Sequence, residues 1–342
     1  MKLVSFVDSA SASLPDMPFN LWPSDSLKRV RIGAVIDEDT LLDLQAAWPL
    51  LQSSQPPPAS MLEVIQSNEI HLPAIQRLIE LVKDQKFTSD CLKKIDRVTL
   101  LSPLPHPPSV RDGYAFRQHV EAARRNRGVP MIPEFDHFPI FYFTNSMAIT
   151  GPGPVVVQRQ AQQQLDFELE VAVVIGKAGK NIPASRADEY ILGYVIMNDW
   201  SARTLQMEEM KLNLGPAKGK DFATSLGPWL VTRDELEKHQ VKSSSGERYD
   251  LAMRTWVNGR LLSEGNLKDM TWTFAQIIER VSYGVWLQPG EVIGSGTVGT
   301  GCLLELNGSK ITDNLWLKPG DEVKMHVDGL GILINTIVDG GT

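Results

Sequence analysis

The chain has 342 residues, which suggests about two domains at roughly 150 residues per domain. Its 42% hydrophobic and 22% charged residues are typical of soluble globular proteins. The 34 basic and 41 acidic residues give a net charge of −7, without the basic surface of a nucleic-acid-binding protein. No segment contains the ~20 apolar residues of a membrane span, so neither nucleic acid nor membrane is an expected partner. Two cysteines, Cys91 and Cys302, are too few for a disulfide framework, and we expect a cytoplasmic protein.

The sequence up to residue 100 predicts a small N-terminal domain of strands and short helices. Residues 31–37 and 40–44 predict a pair of strands, and two helices are predicted over residues 61–66 and 74–83. Residues 86–108 predict a connection ending in the sequence PLPHPP, because prolines cannot donate hydrogen bonds to a β-ladder. We therefore predict a domain over residues 1–100 and a larger one over residues 101–342.

The larger domain is predicted to be rich in strands and poor in helices. Its strands are predicted over residues 155–157, 165–175, 190–197, 251–257, 291–293, 303–306, 322–327 and 332–338. Helices are predicted over residues 115–125 and 272–281. The predicted fold class is α+β.

The most informative segment is LDFELEVAVVI, residues 165–175. In a strand, Asp166, Glu168 and Glu170 lie on one face and the apolar residues on the other. A half-exposed strand with a solvated acidic face explains this pattern. Alternatively, the acids are covered and bind a hard divalent cation such as Mg²⁺ or Ca²⁺, which removes their repulsion. Asp199 follows the predicted strand 190–197, where an acid is often a turn residue or helix cap.

A third segment, VRDGYAFRQHV over residues 110–120, brings an acid, a tyrosine and a histidine together at the start of a predicted helix. A lone histidine in such a place is commonly structural. Next to a metal bound by carboxylates, however, His119 becomes the natural general base, because the pKa of histidine lies near the working pH.

These segments, in this order, resemble the fumarylacetoacetate hydrolase family. The matching sequences are RDGYAFRQH at 111–119, LDFELE at 165–170, MNDWSAR at 197–203, GKDFAT at 219–224, GSGT at 294–297 and LLEL at 303–306. The resemblance covers about residues 100–342, and the N-terminal region fits more loosely. It implies a catalytic domain built as a mixed β-roll, a small barrel-like β-rich N-terminal domain, and a homodimer.

The resemblance also implies roles for individual residues. The implied metal ligands are Asp112, Glu168, Glu170 and Asp199, with Lys220 and Thr224 beside the metal. The implied base is His119, oriented by Glu305, and Lys220 takes part in catalysis. The implied substrate contacts are Tyr114, Tyr142, Arg203, Gln206 and Thr297.

The sequence departs from the fumarylacetoacetate-cleaving pattern around the expected substrate. Tyr142 is followed by Phe-Thr-Asn, where those hydrolases have His-Gly-Arg, and Met210 replaces a second substrate tyrosine. A substrate-facing arginine is expected after His119, and Arg124, Arg125 and Arg127 compete for this role. The metal and base positions are intact, so the departures leave the exact substrate open.

The predicted function is hydrolysis of a carbon–carbon bond in a 1,3-diketo acid, either fumarylacetoacetate-like or an acylpyruvate, in aromatic-compound catabolism. The substrate is a small anionic diketo acid, and the cofactor is Mg²⁺, with Mn²⁺ or Ca²⁺ as alternatives. His119 would take a proton from the attacking water, and the metal and Lys220 would stabilise the developing negative charge. The alternatives are a related oxo-acid decarboxylase, hydratase or isomerase, and, more remotely, a binding protein stabilised by metal.

One further motif argues for a nucleotide, and we set it aside. GSGTVG at residues 294–299 fits the dinucleotide pattern, which requires a helix immediately after it. Residues 300–306 predict another strand instead, so no nucleotide cofactor is expected. Cys302 in that strand is predicted to be a small core residue.

Overall fold

The computed structural model describes residues 1–9, 19–84 and 89–341. The strands are, in chain order, β1 (Lys2–Asp8), β2 (Arg31–Val35), β3 (Thr40–Asp43), β4 (Leu92–Lys94), β5 (Val98–Leu100), β6 (Val110–Gly113), β7 (Phe141–Thr144), β8 (Ile149–Thr150), β9 (Gly153–Val157), β10 (Leu165–Asp166), β11 (Leu169–Ile175), β12 (Gly179–Lys180), β13 (Ile191–Asp199), β14 (Ser201–Ala202), β15 (Thr224–Thr232), β16 (Ala252–Val257), β17 (Arg260–Asn266), β18 (Trp286–Leu287), β19 (Val292–Gly294), β20 (Glu322–Val327) and β21 (Gly331–Asp339).

Short helices connect these strands. They are α1 (Ser24–Leu27), α2 (Leu44–Ala47), α3 (Met61–Gln66), α4 (Asn68–Lys83), α5 (Arg117–Asn126), α6 (Ala184–Ala187), α7 (Arg203–Glu209), α8 (Phe274–Ser282) and α9 (Leu303–Gly308). None of the helices in the described ranges combines the length and the apolar character needed to cross a bilayer.

One large sheet of twelve strands organises the molecule. Its order is β4-β3-β2-β1-β15-β13-β11-β19-β6-β7, with β5 beside β1 and β8 beside β15. A second sheet has the order β17-β16-β20-β21-β9. The pairs β15–β8, β19–β6 and β21–β9 are parallel, and the neighbouring strands of the large sheet from β4 to β19 are antiparallel. The predicted α+β class, with mixed sheets, is confirmed.

The N-terminal strands continue the sheet of the larger region. Strand β1 pairs with β15, with Lys2 opposite Val231. One apolar cluster includes Leu3 of β1, Leu78 of α4 and Leu230 of β15, all fully buried. The division of the chain near residue 100 stays a prediction, and the packing across it is continuous.

Most predicted elements are found, with shifted ends. The strand pair β2–β3 and the helix α3 occur where they were expected. Helix α4 begins at Asn68 instead of residue 74, because Pro73 removes only one backbone donor and the buried face continues through His71. Helix α8 begins after Thr273, whose side chain forms a capping box with Gln276.

Three predictions in this region are wrong. The expected connection over residues 86–108 contains the short strands β4 and β5, while its residues 86–88 lie outside the described part of the chain. The expected strand over residues 165–175 is divided into β10 and β11. The expected strand over residues 303–306 is the first part of helix α9, too short a segment for apolar periodicity to distinguish the two.

Replacing Leu3 by alanine should destabilise the whole protein. A buried leucine truncated to alanine costs about 2–5 kcal/mol, and Leu3 shares its cluster with residues beyond residue 100. We expect urea unfolding to shift as one cooperative transition, whereas Leu212→Ala should change stability by less than ~0.5 kcal/mol because Leu212 is 80% exposed. Two separate transitions, with only one shifted, would contradict the shared core.

Candidate active site

The acidic strand segment is buried, not solvated. Asp166 and Glu170 are 0% exposed and Glu168 is 5% exposed, so the interpretation of a solvated acidic face is wrong. The strand is interrupted at Glu168, because its backbone N–H donates to the side-chain oxygen Asn198 Oδ1 (3.0 Å) instead of to a backbone carbonyl of the neighbouring strand. All three carboxylates of this segment therefore lie in the interior of the protein.

Three carboxylates from three strands meet at one point. Asp112 of β6, Glu170 of β11 and Asp199 at the end of β13 each place an oxygen within 4.8 Å of the other two. Strand β19 lies between β6 and β11, and its Gly294 is opposite Asp112. A Cβ atom at Gly294 would lie 2.3 Å from Asp112 Oδ1, so only glycine leaves room for this carboxylate.

Burial and mutual repulsion disfavour the charged forms of these acids. Burial, together with the charge of Asp199, raises the pKa of Asp112 to about 7. Burial and the neighbouring Asp112 raise the pKa of Glu170 well above its usual value. Burial also raises the pKa of Asp199, although Lys220 opposes that rise. The cluster therefore needs compensating positive charge, from protons or from a cation.

The donor set fits a hard divalent cation. Glu170 Oε2 and Asp199 Oδ1 are buried, and neither has a hydrogen-bond partner among the described residues. Carboxylate oxygens of this kind are the ligands that Mg²⁺, Mn²⁺ and Ca²⁺ prefer. Asp112, Glu170 and Asp199 are thus the residues of the described chain best placed to hold such an ion.

Two buried cations bind the remaining acids. Lys220 Nζ donates to Asp199 Oδ2 (2.6 Å) and to Glu168 Oε2. Arg203 Nη2 donates to Glu168 Oε1 (2.7 Å), and its Nε donates to Asp166 Oδ2 (2.8 Å). Burial would raise the pKa of Glu168, but Lys220 and Arg203 outweigh burial and hold it below its usual range.

These ion pairs bear on two predicted roles. Both oxygens of Glu168 are hydrogen-bonded to cations, and Glu168 does not belong to the group of three carboxylates. Its role as a metal ligand stays a prediction, as does substrate binding by Arg203, which is held by two carboxylates.

His119 and Glu305 form a hydrogen-bonded pair. His119 lies on α5 and Glu305 in the first turn of α9, and His119 Nδ1 is 2.6 Å from Glu305 Oε2. The other oxygen, Glu305 Oε1, accepts from the backbone N–H of Thr300 (2.9 Å). With both oxygens engaged, the carboxylate fixes the imidazole ring, and a proton on Nδ1 leaves Nε2 free to act as a base.

The other predicted site residues lie in the same region. Tyr142 donates to Asp199 Oδ2, and Tyr114 packs edge-on against His119 with ring centroids 5.7 Å apart. Thr297 donates to Glu170 Oε1 (3.3 Å), Gln206 Oε1 accepts from Arg203 Nη1 (3.0 Å), and Thr224 is opposite Asp199 in the β13–β15 ladder. Burial, reinforced by Asp199, raises the pKa of Tyr142, so its hydroxyl is a proton donor.

The role of Asp166 is not evident from the sequence. Its two oxygens accept the first backbone N–H groups of α9, from Leu303 (2.7 Å) and Leu304 (3.0 Å), in addition to the bond from Arg203. Asp166 thereby links the cationic residues to the helix that carries Glu305. The alternation of residues 165–175 placed it beside Glu168 and was the available signal. The role of Gly294 is likewise not evident from the sequence, because its close approach to Asp112 depends on the pairing of strands β6 and β19.

Helix α9 also changes the argument about nucleotides. A helix follows GSGTVG, so the prediction of a strand over residues 300–306, which argued against a nucleotide, is wrong. The N-terminal amides of this six-residue helix already donate to Asp166, which is an internal anion. The absence of a nucleotide cofactor stays a prediction.

Comparison with known proteins agrees with this arrangement. The sequence model of the fumarylacetoacetate (FAA) hydrolase C-terminal family matches residues 109–338, and the chain belongs to this family. Oxaloacetate tautomerase YisK of Bacillus subtilis (strain 168) is 30% identical over 273 residues, which cover 79% of this chain and 85% of that protein. Fumarylacetoacetase of Bos taurus is 27% identical over 368 residues, covering 90% and 87%.

A solved structure shares the fold over nearly the whole chain. The fumarylacetoacetate hydrolase from psychrophilic Exiguobacterium antarcticum superposes with a TM-score of 0.66 at 25% identity, covering 99% of each chain. The family resemblance inferred from sequence is therefore confirmed. The named relatives are enzymes, and they include a tautomerase as well as hydrolases.

Without divalent ions, the protein should lose stability as the pH rises. The raised pKa values mean that the folded cluster holds protons which the unfolded chain releases. The stabilisation that these protons give to the folded state is fully present below about pH 3.9, the pKa of an aspartate in the unfolded chain. It is lost as the pH rises through the pKa of Asp112, about 7. We expect the urea midpoint in EDTA to fall between about pH 5 and about pH 8, and Mg²⁺ to restore it at the higher pH.

Glu170→Gln should flatten this pH dependence, because it removes one of the repelling charges. The exposed acid Glu322 supplies the matched control, and Glu322→Gln should keep the wild-type slope. A wild-type slope in Glu170→Gln would show that the cluster does not govern the pH dependence.

Proposed function

We propose that this protein is a divalent-metal-dependent hydrolase that cleaves a carbon–carbon bond in a 1,3-diketo acid. The observation that carries the proposal is the 2.6 Å hydrogen bond between His119 Nδ1 and Glu305 Oε2. This pair supplies an oriented general base, and the charge of His119 acts on Glu168, one of the buried acids beside the carboxylate cluster. The location in the cytoplasm and a homodimer remain predictions of the sequence, which cell fractionation and light scattering would test.

The metal would be held by Asp112, Glu170 and Asp199, with Glu168 as the fourth ligand implied by resemblance. Mg²⁺ is the expected ion, and Mn²⁺ and Ca²⁺ favour the same oxygen ligands. When bound, the ion would polarise the carbonyl group that water attacks. Lys220 and Thr224 would lie beside it.

The chain's own residues supply the proton transfers. His119 Nε2 takes a proton from water, and Glu305 stabilises the resulting imidazolium through Nδ1. The hydroxide adds to the carbonyl carbon, while Lys220 stabilises the developing negative charge. The carbon–carbon bond then breaks to release an enolate. His119 returns its proton to the enolate carbon that the broken bond has released. The products are one carboxylic acid and one ketone fragment.

A second candidate is keto–enol tautomerisation of an oxo acid. The observation that favours it is the 30% identity to an oxaloacetate tautomerase over 79% of this chain. Tautomerisation needs a base and stabilisation of an enolate, which His119 and Lys220 can provide. It does not need an attacking water.

We infer that Arg127, among the three arginines that follow His119, would bind the substrate's distal anion. The charge of Arg127 opposes the rise in pKa that burial gives Tyr114, which reaches about 12. Arg124 Nε instead donates to Pro130 O (2.8 Å), and Arg125 lines a cavity beside Glu121. Arg127 is exposed, and its Nε bonds to Ala123 O (3.0 Å), so its remaining N–H groups are available to an anion.

A panel of diketo acids and oxaloacetate, assayed with Mg²⁺, tests the proposed reaction. Hydrolysis gives two fragments with loss of the diketone absorbance, whereas tautomerisation changes the keto–enol ratio and gives no fragments. EDTA should abolish turnover. His119→Ala should lower kcat by ~10²–10⁴-fold, while the exposed His137→Ala should keep the wild-type rate.

Glu305→Gln tests whether Glu305 orients the proposed base. Without the carboxylate, the protonated form of His119 is less stable. We therefore expect a large fall in kcat for hydrolysis and unchanged Mg²⁺ binding, measured by calorimetry. Fast oxaloacetate tautomerisation without any fragment formation would overturn the hydrolase proposal and favour the second candidate. Full activity in His119→Ala would remove the base assignment.

Arg127→Ala should raise KM with little change in kcat. A hydrogen bond to a charged group contributes about 1.5–3 kcal/mol, which corresponds to a rise of roughly 10- to 150-fold. Arg125→Ala, two residues away, should leave KM near the wild-type value. Equal effects of the two variants would indicate a general charge effect instead of a specific contact.

A further inference from the structure

A cysteine lies beside the histidine–glutamate pair and has no part in the proposed reaction. Cys302 is the residue that precedes α9, and it is 0% exposed. One ligand atom each of His119, Cys302 and Glu305 lie within 4.8 Å of one another. Imidazole, thiol and carboxylate are the three side-chain groups that bind zinc in proteins.

We propose that His119, Cys302 and Glu305 form a binding site for a thiophilic divalent ion such as Zn²⁺, separate from the carboxylate cluster, and that occupation of this site inhibits the enzyme. The inhibition rests on the proposed function, because it requires His119 to be the base. The binding itself does not.

Tetrahedral coordination requires small shifts of all three ligand groups. The Cys302 sulfur lies within 4.8 Å of the other two ligand atoms, so it would need to approach them by up to about 1 Å. Ligand atoms about 2.0–2.3 Å from Zn²⁺ are separated by roughly 3.3–3.8 Å in a tetrahedron. His119 Nδ1 and Glu305 Oε2 are 2.6 Å apart, so they need to separate by less than about 1 Å. A water molecule would complete the shell.

Ligand chemistry separates this site from the proposed magnesium site. A thiolate is a soft ligand that favours zinc, whereas Mg²⁺ favours oxygen ligands alone. Asp112, Glu170 and Asp199 offer only oxygen atoms. Saturating Mg²⁺ should therefore occupy the carboxylate cluster and leave the cysteine site to the softer ion.

Coordination removes the base from the reaction. Zn²⁺ replaces the thiol proton of Cys302, and that proton passes to water. The proton of His119 moves from Nδ1 to Nε2, so that Nδ1 can bind the metal in place of its hydrogen bond to Glu305. With Nε2 protonated, His119 can no longer take a proton from water. Burial raises the pKa of the Cys302 thiol, so without metal it stays protonated and unsuited to act as a nucleophile.

A cavity offers a route for the ion. A cavity of about 430 Å³ is lined by Glu305, Thr300, Gln118 and the exposed residue Glu121. None of its described lining residues belongs to the carboxylate cluster. An ion can therefore reach Glu305 without passing through the proposed magnesium site.

The test titrates Cd²⁺, a spectroscopic substitute for Zn²⁺, into the protein saturated with Mg²⁺. Bonding of Cd²⁺ to a thiolate gives a charge-transfer absorption in the ultraviolet. We expect one equivalent in the wild type and in Cys91→Ser, the matched control at the other cysteine. Cys302→Ser should lose the absorption and bind Zn²⁺ at least about tenfold more weakly. Serine is a preferred residue before a helix, so this variant should keep α9.

A thermal unfolding scan identifies any variant that fails to fold, and Cys302→Ala then replaces Cys302→Ser. Wild-type absorption in Cys302→Ser, or no absorption in the wild type, overturns the site. In the assay with substrate, Zn²⁺ should inhibit the wild type and Cys91→Ser but not Cys302→Ser. Metal binding at Cys302 without inhibition overturns the inhibitory role and the assignment of His119 as base. Absence of any turnover overturns the proposed function, while the titration still decides the site.

Discussion

An excess of buried negative charge governs this structure. Asp112, Asp166, Glu168, Glu170 and Asp199 are each at most 5% exposed, and the cations buried with these five acids are Arg203 and Lys220. Isolated charges are expensive to bury, and two cations cannot compensate five carboxylates. Protons or a divalent ion must supply the balance. Buried charge without full compensation is typical of functional sites.

The two cations divide the acids into two groups with different tasks. Arg203 and Lys220 bind Asp166, Glu168 and one oxygen of Asp199. Asp112 and Glu170 have no ion pair within the described chain, and they provide the uncompensated charge. Asp166 also holds the start of α9, which positions Glu305 and through it His119. The same charge network therefore orders the proposed metal site and the base.

The sequence predicts which acidic side chains lie in this site better than it predicts the secondary structure that carries them. Alternation in residues 165–175 predicts that Glu168 and Glu170 share one face, and Asp199 is a candidate because it follows a predicted buried strand. Two kinds of feature could not be read locally. Residues 303–306 are too few for their apolar pattern to distinguish a strand from a helix. The helix is stabilised by Asp166, a distant residue that accepts hydrogen bonds from its first backbone N–H groups. The interruption at Glu168 depends on the side chain of Asn198, thirty residues away.

The residues of β7 that depart from the fumarylacetoacetate-cleaving pattern lie on different faces of the strand. Side chains alternate along a strand, so Phe143 lies on the opposite face from Tyr142, where its ring packs against the Arg111 guanidinium at 4.5 Å. Thr144 shares the face of Tyr142, and its buried hydroxyl oxygen has no hydrogen-bond partner among the described residues. Of the two replaced residues that lie in β7, Phe143 and Thr144, only Thr144 therefore lies on the side on which Tyr142 meets Asp199. Because the proposed base and carboxylates could serve either hydrolysis or tautomerisation, we expect the choice between the two reactions to depend on residues around the site, such as Thr144.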